Sequence, residues 1–181
     1  MTLEELNRLP LEQARAALER CCGAGAWVRG MCAARPWRDR AALLAAAERV
    51  ADALEREDWL EAFAHHPRIG DRESLRAKYA SAPAGAGEVQ RSAAAWARAE
   101  QHGASAASEV TLDALAEGNR AYERRFGYIF IVCATGKSAD EMLALLRARL
   151  ANDADVELSN AAREQRAITR LRLEKLVSEP A

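Results

Sequence analysis

The stretch "DRAALLAAAERVADALERED", residues 39–58, decides the fold class. Leu43, Ala46, Ala47, Val50 and Leu54 recur at three- and four-residue spacing with charged residues opposite, the pattern of an amphipathic helix of about five turns. Working outward, similar periodicity predicts helices near 11–22, 24–34, 88–102, 111–126, 139–151 and 156–177. Thr2 with Glu5 and Ser138 with Glu141 spell capping boxes, so helices are expected to start there. The only strand-like run is "YIFIVCATG", Tyr128 to Gly136, rich in β-branched and aromatic residues. Without a partner strand it reads as a buried extended or helical segment. The expectation is an all-α, single-domain multi-helix bundle spanning residues 1–181.

Composition sets the outer limits. Half of the 181 residues are apolar and 29% are charged, the balance of a globular chain able to bury a core. A net charge of -1 gives no long-range attraction for nucleic acid or an anionic membrane. No apolar run approaches the roughly 18 residues of a membrane span. "MTLEELNRLP" carries acids where a secretory signal carries bases, so a cytoplasmic location is expected. Cys21, Cys22, Cys32 and Cys133 contain no C-x-x-C pair and read as small buried thiols. A single catalytic cysteine with a distant histidine is the sharper alternative.

Two stretches interrupt the helical pattern. "SAPAGAGE", residues 81–88, is a surface loop by composition. "AHHPRIGD", residues 64–71, sets two of the three histidines beside a proline, which disfavours helix at His66, while Gly70 permits a turn. The helix that begins near Asp58 is therefore expected to end at these histidines. Imidazole titrates near neutrality and suits proton transfer. The plain alternative makes both histidines ordinary helix-end residues. A metal site would need His65, His66 and Asp71, with His102 as a further donor, but no H-x-x-x-H spacing is present.

Arginine placement near the C-terminus is more informative. At about 100° per residue, with Ile168 as zero, Ala161, Gln165 and Leu176 fall between about 20° and 80°, and Arg172 falls near 40° inside that stripe. Arg163 and Arg170 fall opposite, and with Arg166 read as a solvated face. An inward guanidinium needs an anionic partner, either a protein carboxylate or a bound ligand.

Several blocks together resemble a known family. "LEELNRLP" at Leu3, "WV" at Trp27, "RPW" at Arg35, "HPRIGD" at His66, "EQHG" at Glu100, "NRAYERRFGYIF" at Asn119, "GKSADEMLALLRARLAND" at Gly136 and "ITRLRLEKL" at Ile168 resemble the OHCU decarboxylases. These act on 2-oxo-4-hydroxy-4-carboxy-5-ureidoimidazoline. The resemblance implies an all-helical fold and a cofactor-independent decarboxylation to (S)-allantoin in urate breakdown. It also implies a small anionic substrate, a homodimer and a functional link to 5-hydroxyisourate hydrolase, with no nucleic acid or membrane partner. It makes His66 the catalytic acid, beside Pro67 in the substrate site, and adds Glu100 and Arg172 to the catalytic set. Gln101 and the segment Phe126, Gly127, Tyr128, Ile129 and Phe130 line the substrate pocket. Ala97 also belongs to that lining, at a position where the family commonly has a serine, so one hydroxyl contact is absent. The gap from His66 to Glu100 is longer than usual, with "SAPAGAG" as the insertion. Arg170 is the other arginine that could fill the role of Arg172. From other classes, the rivals are a helical interaction module in which Arg172 pairs with a protein acid, and a metal-dependent hydrolase using His65, His66 and Asp71.

Overall fold

The computed structural model describes residues 1–66, 109–135 and 137–177. Among them lie eight helices and no strand, so the all-helical expectation holds. The helices are α1 (Leu3–Arg8), α2 (Leu11–Glu19), α3 (Gly25–Ala33), α4 (Arg40–Asp52), α5 (Arg56–Ala64), α6 (Glu109–Phe126), α7 (Ala139–Arg149) and α8 (Ala154–Leu176). The expected helix near 88–102 and the loop at 81–88 lie outside the described residues. No described helix is long and apolar enough to cross a membrane.

The chain forms two compact units, one of Met1–His65 with Gln165–Ala181 and one of His66–Glu164. In the first, α3 packs against α2, α4 and α5. Leu6, Leu18, Trp27, Met31, Leu43, Phe63 and Leu173 are almost wholly buried, each gaining about 1.5–3 kcal/mol or more from burial. Two sequence blocks fasten this unit. Asn7 Nδ2 donates to the Trp37 carbonyl at 2.8 Å and Asn7 Oδ1 accepts from the Trp37 N–H at 3.0 Å. Arg35 donates to the carbonyls of Asn7 and Leu9, both at 2.6 Å. "LEELNRLP" and "RPW" thus serve to hold one another.

Both expected capping boxes form, at Thr2 with Glu5 and at Ser138 with Glu141. The long helix over 39–58 does not. Asp39 caps α4, but α4 ends at Asp52, and Glu55 with Asp58 builds a third capping box that starts α5. An acceptor on Glu55 competes with helix continuation by taking the N–H groups of a new first turn.

In the second unit, α6 packs against α7. Its centre is aromatic: the Tyr122 ring lies 4.6 Å from Phe126, 5.8 Å from Tyr128 and 5.2 Å from Phe130. Tyr122 and Phe130 meet edge to face, the geometry ring quadrupoles prefer.

Candidate active site

Helix α6 ends where Gly127 adopts φ +82°, a conformation that glycine enters without the steric cost other residues meet. Its N–H still donates to the Glu123 carbonyl at 2.8 Å. The chain then runs through Tyr128–Ala134 without helix or strand, and all but Cys133 are buried. Extended backbone with no ladder must find side-chain partners, because an unpaired buried N–H costs about 1–3 kcal/mol. Three helices provide them. Asn119 of α6 accepts from the Phe130 N–H at 3.1 Å, Arg149 of α7 donates to the Ile131 carbonyl at 2.8 Å, and Glu164 of α8 accepts from the Cys133 N–H at 2.8 Å.

Arg149 is itself held by a buried carboxylate. Glu157 is fully buried and accepts from Arg149 Nε at 2.8 Å and Nη2 at 2.5 Å, from Asn152 at 2.8 Å and from the Tyr122 hydroxyl. Burial alone would raise its pKa, but the hydrogen bonds from Arg149, Tyr122 and Asn152 outweigh that and hold it below 4.5. Burial, then the bond to Glu157, pushes the Tyr122 phenol far above its ordinary range. Arg149 also lies over the Phe130 ring at 4.6 Å.

The histidine pair sits where the proline argument puts it. Helix α5 stops at Ala64, His65 is its C-cap with its N–H on the Ala62 carbonyl at 3.3 Å, and His66 follows, half-buried. His65 lies hard against Gly23, where an added Cβ would meet His65 Cγ at 2.2 Å.

On α8 the helical-wheel reading is accurate. Ala161, Gln165, Ile168, Arg172 and Leu176 are all buried, while Arg163 and Arg170 are exposed. Arg170 pairs with Glu174 at 3.3 Å on the surface, which leaves Arg172 as the inward arginine. Arg172 Nη1 reaches the Arg20 carbonyl at 3.5 Å, at the C-terminus of α2, where helix carbonyls concentrate negative potential. Gln165 donates to the Thr169 hydroxyl at 3.2 Å in the same stripe. Arg166 departs from the expected solvated face: it is half-buried, bonds Asp52 at 2.7 Å and Glu48 at 3.4 Å, and lies 5.5 Å from the Trp59 ring. It borders a 320 Å³ cleft lined also by Cys22, Trp27 and Thr169. Burial raises the pKa of the Cys22 thiol, so it stays protonated, as a packing residue would.

The structure brings Phe126, Tyr128, Ile129 and Phe130 into one buried segment that turns at the exposed Gly127, in the same unit as His66, whereas Arg172 belongs to the other unit. Pro67, Ala97, Glu100 and Gln101 lie outside the described residues, as do Asp71 and His102 of the metal reading. Among the described residues no group of three His, Cys, Asp or Glu side chains is set for a metal ion. Asn119, Arg149, Glu157 and Glu164 are absent from the sequence-based candidates. Asn119 had a signal: with Tyr122 and Phe126 it shares one face of α6 at helical spacing.

With this geometry in hand, the chain can be set beside known proteins. The family model for OHCU decarboxylase matches residues 7–174. The chain belongs to the OHCU decarboxylase family. Among relatives of this family member is the uric acid degradation bifunctional protein TTL of Arabidopsis thaliana, 36% identical over 162 residues that make up 89% of this chain and 46% of that one. A second is the 2-oxo-4-hydroxy-4-carboxy-5-ureidoimidazoline decarboxylase of Amia calva, 36% identical over 63 residues, 35% of this chain and 36% of that one. The matched stretches cover less than half the length of each of these curated relatives. Its fold matches the crystal structure of an OHCU decarboxylase in the presence of (S)-allantoin with a TM-score of 0.72 at 34% identity, covering 91% of this chain and 99% of that one. An (S)-allantoin synthase shares the fold at 15% identity, with a TM-score of 0.66 over 98% of this chain and 54% of that one.

Proposed function

We propose that this OHCU decarboxylase family member removes CO2 from 2-oxo-4-hydroxy-4-carboxy-5-ureidoimidazoline and protonates one face of the product to give (S)-allantoin. The observation that carries this is the family match over residues 7–174, which runs through both compact units and supports taking residues 1–181 as one functional domain. Loss of CO2 leaves an electron pair that the substrate's own carbonyl and imine system can hold. No external electron sink is required, so no cofactor enters the proposal. The protein then has three tasks: bind the anion, turn the carboxylate out of the ring plane, and deliver a proton from one side.

His66 is the proposed proton donor, with Pro67 beside it. Arg172 is the proposed anchor for substrate oxygens, since guanidinium offers two parallel donors. Its burial supports this over a surface role. Glu100 accepts from substrate N–H groups, Gln101 both donates and accepts, and Ala97 contributes only contact. Backbone of the Phe126–Phe130 segment, including Gly127, Tyr128 and Ile129, closes the pocket, and an N–H near Gly127, other than those held by Glu123 and Asn119, meets an oxyanion.

The proposal extends to a homodimer and to a cytoplasmic location. It also includes a functional link to a 5-hydroxyisourate hydrolase, because the unstable substrate arises by hydrolysis after urate oxidation. The test is to add purified protein to freshly generated substrate and follow circular dichroism of the product. Rapid chiral (S)-allantoin formation that persists in chelator is the expected result. Product that forms no faster than in buffer overturns the proposal, and activity lost to chelator favours the metal-dependent hydrolase.

A further inference from the structure

We propose that Asn119 and Glu164 are positioning residues for the decarboxylation: Asn119 fixes the pocket-lining segment at Phe130, and Glu164 anchors the stretch that directly follows it at Cys133. This rests on the function proposed above. The buried run Tyr128–Ala134 has no strand neighbour among the described residues, so side chains must set its path. Asn119 takes the Phe130 N–H at 3.1 Å, and Glu164 takes the Cys133 N–H at 2.8 Å. Between them Arg149, neutralised by Glu157, holds the Ile131 carbonyl at 2.8 Å. Three backbone groups within residues 130–133 are thereby tied to three different helices. Such ties fix the segment's height above α6 and its rotation about its own axis.

A pocket that recognises substrate through backbone atoms cannot recover a shifted N–H by choosing another rotamer. The segment must be placed before substrate arrives, which is the role these bonds can perform. Asn119 is 3% exposed, its Nδ2 has no hydrogen-bond partner among the described residues, and its Oδ1 is engaged by the Phe130 N–H. Glu164 is only partly buried and can be varied without opening the core.

The experiment compares Asn119→Ala, Glu164→Ala and Glu164→Gln with the parent chain, measuring kcat and KM together with the thermal midpoint, at temperatures well below unfolding. Glutamine keeps an acceptor oxygen for the Cys133 N–H. A displacement of about 1 Å in a reacting geometry can cost on the order of 100-fold in rate. Glu164→Ala is therefore expected to lose about 10- to 100-fold in kcat with a smaller change in KM, and Glu164→Gln to recover to within about threefold of the parent. Asn119→Ala should lose at least as much, together with stability. If Glu164→Ala keeps the parent kcat while its midpoint falls, the residue is merely structural and this inference fails alone. If glutamine fails to restore what alanine removes, the acceptor role is likewise overturned. A parent chain inactive on the substrate overturns the proposed function and this inference with it.

Discussion

Glu157 offers the sharpest stability prediction. Glu157→Ala removes a fully buried carboxylate and leaves Arg149, whose side chain is 11% exposed, without its anionic partner. It also frees the Tyr122 hydroxyl and Asn152 Nδ2. Stripping one partner from a buried ion pair costs about 3–5 kcal/mol, because the remaining charge is desolvated and uncompensated. For a chain of this size that lowers the unfolding midpoint by roughly 6–20 °C. Tyr122→Phe removes a single bond to a charged acceptor, about 1.5–3 kcal/mol, so it should be the milder change. The assay is thermal and urea unfolding followed by far-ultraviolet circular dichroism. The pH dependence adds an independent readout. The folded-state pKa of Glu157 lies below 4.5, so its contribution is complete at neutral pH and disappears as pH falls from about 4.5 through the folded value. The gap between parent and Glu157→Ala must therefore close in acid. A neutral-pH difference under about 1 kcal/mol, or a gap that widens in acid, would refute the reasoning.

Three further outcomes follow from the same geometry. Gly127→Ala meets no atom within 4 Å but must hold φ +82°, so it should cost about 1–2 kcal/mol in unfolding free energy, and a variant as stable as the parent would contradict the left-handed turn. Gly23→Ala would force a Cβ to within 2.2 Å of His65 Cγ and 2.6 Å of His65 Cβ, which no rotamer change relieves. It should destabilise by about 1–3 kcal/mol and, by moving the end of α5, lower kcat, as steady-state kinetics would reveal. Arg172→Met keeps much of the buried apolar volume and loses the donors, so kcat/KM should fall on the order of 100-fold, whereas a loss of stability alone would assign Arg172 to the Arg20 carbonyl and to packing.

Sequence periodicity carried the helices well because each one buries a single stripe. The wheel on α8 separated Arg172 from Arg163 and Arg170 since burial there repeats every three to four residues. The same periodicity misjudged residues 39–58. Apolar spacing continues in register across the break at Ala53 and Leu54, and only the three-residue separation of Glu55 and Asp58 marked a new start. Arg166 was misread because its carboxylate partners, Glu48 and Asp52, lie on another helix that no local pattern connects to it. Glu157 and Arg149 face each other across the turn between α7 and α8, so their pairing exists only in three dimensions. Asn119 was within reach, as a polar residue on the buried face of α6 poses the question Arg172 posed on α8. Among the proposed site residues, His66 and the 126–130 segment were marked by local signals: a proline that stops a helix, and a glycine that turns the chain.

Under the proposed function His66 delivers the proton that makes decarboxylation stereospecific, and His66→Ala removes that proton donor. On freshly generated substrate the variant should form chiral (S)-allantoin at least about 100-fold more slowly than the parent, the usual range for losing a general acid, with an unchanged far-ultraviolet spectrum. Stereospecific product at the parental rate from the folded variant would rule out His66 as the proton donor.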